Sequence, residues 1–264
     1  NAGNYGAELQ AFASQYILNK MGYDAEIIDY VFYKNSRHIK TKSSKPVFSF
    51  SLKQRIAEYL LPKIQKFKAL LNKKQANIRN NRFESFHKAN TKFSKEYRTI
   101  NKLYDNPPIY DVYISGSDQI WNPDIYSSIK PYFLTFAPKN SKKISYASSF
   151  GKNNLQPIVA KKYSKWLNDY YAISTRETTG VKIINDLGFK AECVLDPTLL
   201  LNKDEWKEVE KEQENIPQNY LLIYELITSK YLTNIAKFIA KVKGLKIVRI
   251  CKDSYSEDSD NTII

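Results

Sequence analysis

Three short apolar segments of this chain are each followed directly by a loop of small polar and charged residues. Aromatic and β-branched residues predict strands at 112–114, 143–147 and 170–173, the first buried on both faces. If the strands are parallel, all three loops leave the sheet at one edge, where α/β proteins bind ligands. Glycine in the first loop lets the backbone turn sharply or approach a ligand closely. The sequence therefore predicts a polar ligand site made from Ser115-Gly116-Ser117-Asp118-Gln119, Ser148-Ser149-Phe150-Gly151 and Ser174-Thr175-Arg176-Glu177.

Arg176 is the residue of these loops best suited to bind an anion. Ser174 or Thr175 would be a good N-cap, which places Arg176 in the first turn of the following helix. A cation is unfavourable there for helix stability, whereas an anionic ligand binds well. The alternative is that Arg176 pairs with an acid such as Asp118 or Glu177, and the residues alone leave both roles open.

The positive charge of the chain is concentrated in one segment. The 264 residues carry a net charge of +14, but Lys34 to Lys102 hold nineteen basic residues against three acids. Within this segment, an apolar stripe from Leu52 to Leu71 lies among lysines and predicts one helix, or two if Pro62 divides it. We expect this basic helix to lie at a membrane surface or against an anionic lipid-linked glycan. A helix packed on its own sheet with a solvated lysine face is the alternative.

Cysteine and histidine are too few and too scattered for most metal or nucleophile chemistry. Cys193 and Cys251 are far apart, lie in apolar runs and lack metal-type spacing, which predicts buried free thiols in a reducing cytoplasm. His38 and His87 are the only histidines, which argues against a His-based dyad or a zinc site. We expect neither a metal nor a cofactor.

Helical and strand patterns alternate along the chain, which favours a mostly parallel sheet with helices on both faces. No apolar run reaches the roughly 18 to 20 residues that cross a bilayer. The chain has no initiator Met and begins with half of a βαβ unit, so we expect a fragment clipped at both ends. Besides the three strands above, the predicted elements are a helix from residue 4 to Gly22, a strand at 25–31, helices at 77–90, 156–168, 178–187, 204–214 and 231–242, and strands at 190–195, 220–226 and 246–251.

Six motifs in order resemble the polysaccharide pyruvyl transferase family, and together they span nearly the whole chain. They are NYGAELQA at 4–11, YDVYISGSDQIW at 110–121, YFLTF at 132–136, YASSFG at 146–151, STRE at 174–177 and DPTLLL at 196–201.

This resemblance implies a fold, an activity and a domain division. The fold would be α/β and GT-B-like, with two Rossmann-like domains of mostly parallel sheets facing across a cleft. Residues 1–198 would form the first domain, with the Lys-rich helical insert at about 34–103, and 199–264 the start of an incomplete second domain. Family members transfer the enolpyruvyl unit of phosphoenolpyruvate to two hydroxyls of a sugar, which gives a cyclic ketal and phosphate. Because the second domain is incomplete, we expect this fragment alone to be inactive.

The resemblance and the reaction chemistry together suggest roles for the loop residues. Arg176 would clamp an anion, and Asp118 would orient or deprotonate a sugar hydroxyl with Gln119 as a neutral partner. Trp121, Tyr146 and the turn at 196–198 would serve in packing and as a hinge. The other expected substrate-binding residues are Asn4, Tyr5, Gly6, Ser117, Ser148, Ser149 and Glu177.

Three other functions are alternatives to pyruvyl transfer. A GT-B-like glycosyltransferase using a nucleotide sugar shares the fold, and fold alone does not decide function. A non-catalytic family member acting as a scaffold is also open. Nucleic-acid binding is disfavoured, because the basic segment has no recognised motif and its aromatic residues fall in the helical apolar stripe. We therefore expect a cytoplasmic protein that binds phosphoenolpyruvate and a sugar acceptor, with peripheral contact to the inner face of the plasma membrane through the basic helix.

Overall fold

The computed structural model describes residues 5–33, 35, 37–52, 56, 59–60, 73–125, 127–211, 216–225, 229–251 and 262–263. These form a mixed α/β protein with short parallel sheets. The first helix, α1, spans Tyr5–Lys20 and is followed by Gly22 in the left-handed region. The strand predicted at 25–31 is reduced to two isolated parallel bridges, Ile27 to Phe93 and Tyr30 to Tyr97. The side chain of Gln15 holds the two extended segments together, since it hydrogen-bonds to the backbone of Ala25 and of Lys92.

Four short strands form the central parallel arrangement. Strands β1 (Val112–Ser115) and β2 (Lys142–Ser145) pair in parallel, as do β3 (Ser174–Thr175) and β4 (Glu192–Cys193). Isolated bridges from Ile144 to Ala172 and from Ser148 to Thr175 connect the two pairs. Helices α4 (Pro157–Leu167) and α5 (Thr178–Asp186) provide the crossovers. The prediction of a mostly parallel sheet is confirmed, because every pairing among the described strands is parallel.

Two predictions about burial in this sheet are wrong. In β1, Tyr113 and Ser115 are buried while Val112 and Ile114 are exposed, so the strand is covered on one face and not on both. Cys193 is an exposed free thiol, because both residues of β4 lie at the open edge of the arrangement. An apolar run alone cannot distinguish a central strand from an edge strand or a half-covered one.

A second parallel sheet follows, with strand order β5-β6-β7. Its strands are β5 (Tyr220–Glu225), β6 (Lys246–Cys251) and β7 (Thr262–Ile263), and helix α7 (Lys230–Lys243) joins the first two. Glu225 and Arg249 form an ion pair in which both side chains are buried. The helix before this sheet, α6, covers only Lys203–Lys207, where Asn202 caps it, and so is shorter than predicted.

The described part of the basic segment contains α2 (Lys73–Asn90) and α3 (Ile100–Asp105). A buried contact between Glu8 and His87 ties α2 to α1, and burial lowers the pKa of this histidine. His38 is also buried, with Nδ1 at 2.9 Å from the carbonyl oxygen of Val31. Most of the helix predicted at 52–71 lies outside the described residues; Leu52 and Leu60 belong to its described part and are exposed. Among the described helices, none combines the length and apolarity that a bilayer crossing requires.

The largest core cluster forms around Trp121, which is fully buried. Its ring stacks on Phe133 with centroids 5.1 Å apart and an interplanar angle of 10°. The indole N–H donates to the carbonyl oxygen of Tyr132, and Tyr163 of α4 donates its hydroxyl to the carbonyl oxygen of Trp121 itself. The predicted packing role of Trp121 is therefore confirmed. This cluster lies directly after the Asp118 loop and supports it.

Replacement of Trp121 by Ala should destabilise the protein by about 3 to 5 kcal/mol, because a large cavity would remain in the core. Chemical denaturation measures this loss as a lower transition midpoint. Replacement of Ile158 by Ala is the control, since this apolar residue of α4 is exposed; it should change stability by less than about 0.5 kcal/mol. Similar losses for both variants would contradict a central role for the Trp121 cluster.

Candidate functional site

The three predicted loops lie side by side at one edge of the central sheet. Asp118 forms a parallel bridge with Ser148, and Ser148 forms another with Thr175. The backbone N–H of Ser149 also donates to the carbonyl oxygen of Asp118 at 2.9 Å. The convergence predicted from the parallel topology is therefore present, and the loops form one continuous surface.

Gly116 lets the backbone of the second loop approach closely, whereas the sequence left open whether a ligand would take that place. Its φ is +132°, and a Cβ atom at this position would lie 1.9 Å from the carbonyl oxygen of Tyr146. No other residue could occupy this position without displacing that backbone. Asp118 follows with φ of 75°, in the left-handed region that non-glycine residues rarely adopt. The contact thus brings the first two loops together, and the side chain of Asp118, two residues further on, is 54% exposed.

Arg176 lies among three carboxylates. Its guanidinium Nη2 is 3.2 Å from Oδ1 of Asp118, and Nη1 is 3.3 Å from Oδ2 of Asp196. Its Nε is 3.8 Å from Oε2 of Glu177. The acid-pairing alternative for Arg176 is therefore what the structure contains, with Asp196 as an additional partner. The two ends of the guanidinium fork bind acids from two different loops.

The local helix geometry around Arg176 differs from the prediction. Helix α5 begins at Thr178 with Glu177 at the N-cap position, so Arg176 precedes the helix and is not in its first turn. Ser174 does not cap the helix, because its hydroxyl donates to the carbonyl oxygen of Ser145 across the sheet. Thr175 does not cap it either, since its hydroxyl donates to the carbonyl oxygen of Glu177. Cross-strand and turn hydrogen bonds thus outcompete the predicted cap.

Asp196 belongs to the site, although the sequence predicts a packing and hinge role for its turn. Its Oδ2 lies 2.7 Å from the hydroxyl of Ser117, while its Oδ1 accepts from the backbone N–H and the hydroxyl of Thr198. Burial by itself would raise the pKa of Asp196, but hydrogen bonds from Ser117, Thr198 and Arg176 outweigh it and hold the pKa below its usual value. Asp196 is thus ionised and connects its own turn to the first and third loops. An Asp followed by Pro and Thr is typical of such a side-chain-to-backbone turn, which was the available signal.

The three predicted serines have their hydroxyls engaged inside the protein. The hydroxyl of Ser117 lies 2.9 Å from the carbonyl oxygen of Ala147 and also contacts the carboxylate of Asp196. The hydroxyl of Ser148 donates to the carbonyl oxygen of Ser115. Ser149 donates to Glu177. All three serines are buried, so in this structure they shape the loops.

Gln119 is exposed and accepts a hydrogen bond from the side chain of Asn122 at 3.0 Å. Gly151 lies so close that a Cβ atom there would be 2.5 Å from Oε1 of Gln119. Asp118 and Gln119 are therefore the two polar side chains that the first loop presents to solvent.

The predicted site residues of the first motif, at 4–11, are linked to the loop edge only through other elements. Tyr5 and Gly6 are exposed at the start of α1, and the ring of Tyr5 packs against Phe83 of α2. Asn4 lies outside the described residues. Helix α1 packs against the 3₁₀ helix at Pro197–Leu199, which directly follows Asp196. The first motif is thus linked to the site through the Asp196 turn.

The described residues contain no group of three His, Cys, Asp or Glu side chains arranged to hold a metal ion. The charged side chains that meet at the loop edge are carboxylates that surround one guanidinium. Carboxylates in this arrangement accept hydrogen bonds from hydroxyl groups and can take up a proton.

Comparison with known proteins identifies the family. A model of the polysaccharide pyruvyl transferase family matches residues 4–263. The chain belongs to the polysaccharide pyruvyl transferase family. The matched range contains all six motifs and the three described sheets, β1-β2, β3-β4 and β5-β6-β7. No curated protein and no solved structure gives a significant match.

Replacement of Asp196 by Asn should lower the stability of this protein at neutral pH by about 1.5 to 3 kcal/mol, the usual value of hydrogen bonds to a charged group. The carboxylate has a lowered pKa in the folded protein, so its contribution is present above its unfolded pKa and is lost as the pH falls through the lowered value. The difference between wild type and variant should therefore shrink in acid. Urea denaturation at neutral and acidic pH measures this.

The control is Asp186→Asn, which changes an exposed carboxylate at the end of α5. It should have little effect at either pH. A stability difference for Asp196→Asn that stays constant with pH would show that the charge of Asp196 is not what stabilises the turn.

Proposed function

We propose that this protein transfers a pyruvyl group from phosphoenolpyruvate to two hydroxyls of a sugar in a cell-surface polysaccharide or its lipid-linked precursor. The products are a pyruvate ketal and inorganic phosphate. The family match over 4–263 carries the proposal. The exposed carboxylate of Asp118 at the loop edge also supports it, because an oriented carboxylate accepts hydrogen bonds from the hydroxyl groups of a sugar.

The reaction needs a proton donor, a base and a place for departing phosphate. Protonation of the methylene carbon gives the methyl group, one hydroxyl adds to the adjacent carbon, and the second hydroxyl displaces phosphate. We assign Asp118 to orient the sugar hydroxyl or take its proton. One of its oxygens is held by Arg176, and the side chain remains more than half exposed to a substrate.

The charge of the loop edge favours the sugar over the donor. The carboxylates of Asp118, Glu177 and Asp196 surround the guanidinium of Arg176, so an anion beside them would meet net negative charge. Phosphoenolpyruvate carries both a phosphate and a carboxylate and needs cationic groups. We infer that the loop edge receives the acceptor sugar and that basic groups outside it hold most of the donor. The anion-clamp role of Arg176 stays a prediction beside its role in positioning Asp118.

The finer architecture belongs to the same proposal. The central arrangement within 112–193 and the sheet within 220–263 support a GT-B-like division into 1–198 and 199–264. We place the reaction in the cytoplasm, with neither metal nor cofactor. A glycosyltransferase using a nucleotide sugar is the alternative, and a non-catalytic scaffold is the third.

The function is tested by incubating the full-length protein with phosphoenolpyruvate and a panel of sugar acceptors. We expect phosphate release that depends on an acceptor, because the ketal forms only when two hydroxyls replace the phosphate. Replacement of Asp118 by Asn should lower this rate by about 100- to 10,000-fold, the usual contribution of a general base. Thermal stabilisation by a nucleotide sugar, with no phosphate release, would instead support the glycosyltransferase. Release without an acceptor, or no response to either donor, would contradict pyruvyl transfer.

The two roles left open for Arg176 predict different kinetics for Arg176→Lys. A lysine ammonium cannot bind two carboxylates or a planar anion in the same two-pronged manner. A lost contact of about 2 to 4 kcal/mol means roughly 30- to 1000-fold in kcat/KM. If Arg176 positions Asp118, kcat should fall while the KM for phosphoenolpyruvate stays constant. If Arg176 clamps the donor, that KM should rise. Loss of folding with unchanged activity per folded molecule would contradict both roles.

A further inference from the structure

Helix α7 carries apolar residues on two opposite faces. The side chains of Thr233, Ala236 and Ala240 are buried, and the two alanines pack against Ile223 and Ile247 of the second sheet. Such small residues let the helix lie close to the strands. With about 3.6 residues per turn, Tyr231, Phe238 and Val242 fall on the side of the helix directly opposite.

The outer face is unusually exposed for its composition. Tyr231, Phe238 and Val242 are 77%, 69% and 64% exposed, and Ile235 continues the same stripe between them. A neighbouring helix in the same layer would contact the flanks of α7 and leave the residues opposite the sheet uncovered. A continuous row of large apolar side chains in this position is typical of an interaction surface.

The charges of α7 identify the kind of surface it fits. The helix contains four lysines, all exposed, and no acidic residue. Lys230, Lys237 and Lys241 run along one side of the apolar stripe, and Lys243 lies on the other side. Long lysine side chains can keep their ammonium groups in a polar layer while the neighbouring apolar residues enter an apolar one.

We propose that the outer face of α7 docks on the surface of an anionic lipid bilayer. The apolar stripe from Tyr231 to Val242 runs about 16 Å along the helix axis, which a flat surface can cover at once. In this orientation the apolar stripe enters the boundary between headgroups and acyl chains, and the lysines contact anionic headgroups. Pairing with a second α7 would bring eight lysines and no acidic residue of the two helices to one interface, which disfavours a symmetric dimer through this face. The proposal is independent of the pyruvyl transfer reaction.

The test measures co-sedimentation of the 264-residue chain with vesicles, in which no activity is needed. One set of vesicles contains phosphatidylcholine alone, and the other contains equal parts of phosphatidylcholine and phosphatidylglycerol. We expect binding to the anionic vesicles only, weakened by salt. The double variant Phe238→Glu/Val242→Glu should bind at least about tenfold more weakly, because it places charge in the apolar stripe. Lys237→Gln/Lys241→Gln should lose about fivefold for each lysine removed.

The matched control is Ile158→Glu/Tyr171→Glu, which adds the same charge at two exposed apolar residues outside α7. It should bind as the wild type does. If the α7 variants bind as well as this control, the membrane contact is made elsewhere, for example by the basic segment, and the proposal is wrong. It is also wrong if the α7 variants lower the molar mass measured by light scattering, which indicates a second copy on this face. A large loss of thermal stability in the glutamate variant would place the face inside the fold and would equally overturn it.

Discussion

Parallel pairing of β1, β2, β3 and β4 is the constraint on which the candidate site depends. In parallel strands every carboxyl end points to the same edge, so the loops that follow must meet there. The strands are only two to four residues long, and their pairing alone holds little of this edge in place. Gly116 adds the close contact with the backbone of Tyr146, which no other residue would permit. The aromatic core cluster around Trp121, which directly follows the first loop, then anchors that loop to the protein interior.

Ion pairs of Arg176 hold the loops at this edge of the sheet together. Arg176 binds Asp118 from one loop and Asp196 from the turn after β4, so one guanidinium connects elements that are far apart in the chain. Asp196 has its two oxygens engaged by different partners, whereas Asp118 remains largely exposed. These similar carboxylates therefore have different environments, and environment decides which one can meet a substrate. The excess of acids over cations at this edge also separates the expected place of the sugar from that of the anionic donor.

Much of the fold could be predicted from local pattern. The bounds of α4, α5, α7 and β6 agree with the predictions to within a residue or two, because their apolar periodicity is strong and their ends carry clear signals such as Pro157 and Gly244. The segment at 25–31 became two bridges, and β1 is covered on one face only. These failures have one cause. Local pattern reports which residues favour a strand, but pairing and coverage depend on neighbours from distant parts of the chain.

The sequence by itself determined the family and predicted the parallel α/β class and the three loops that share an edge, because motif order, apolar periodicity and the alternation of strands with helices can be read along the chain. It also placed Asp118, Gln119, Arg176 and Glu177 in those loops. Only the tertiary structure decided that Arg176 precedes its helix and pairs with acids, that the serine hydroxyls face inward, and that Asp196 belongs to the site. The physical reason is that a polar side chain bonds to whichever partner the fold brings within reach. The partners of Asp196 are Arg176 and Ser117, which lie 20 and 79 residues away in the chain, so a local sequence pattern cannot predict these contacts.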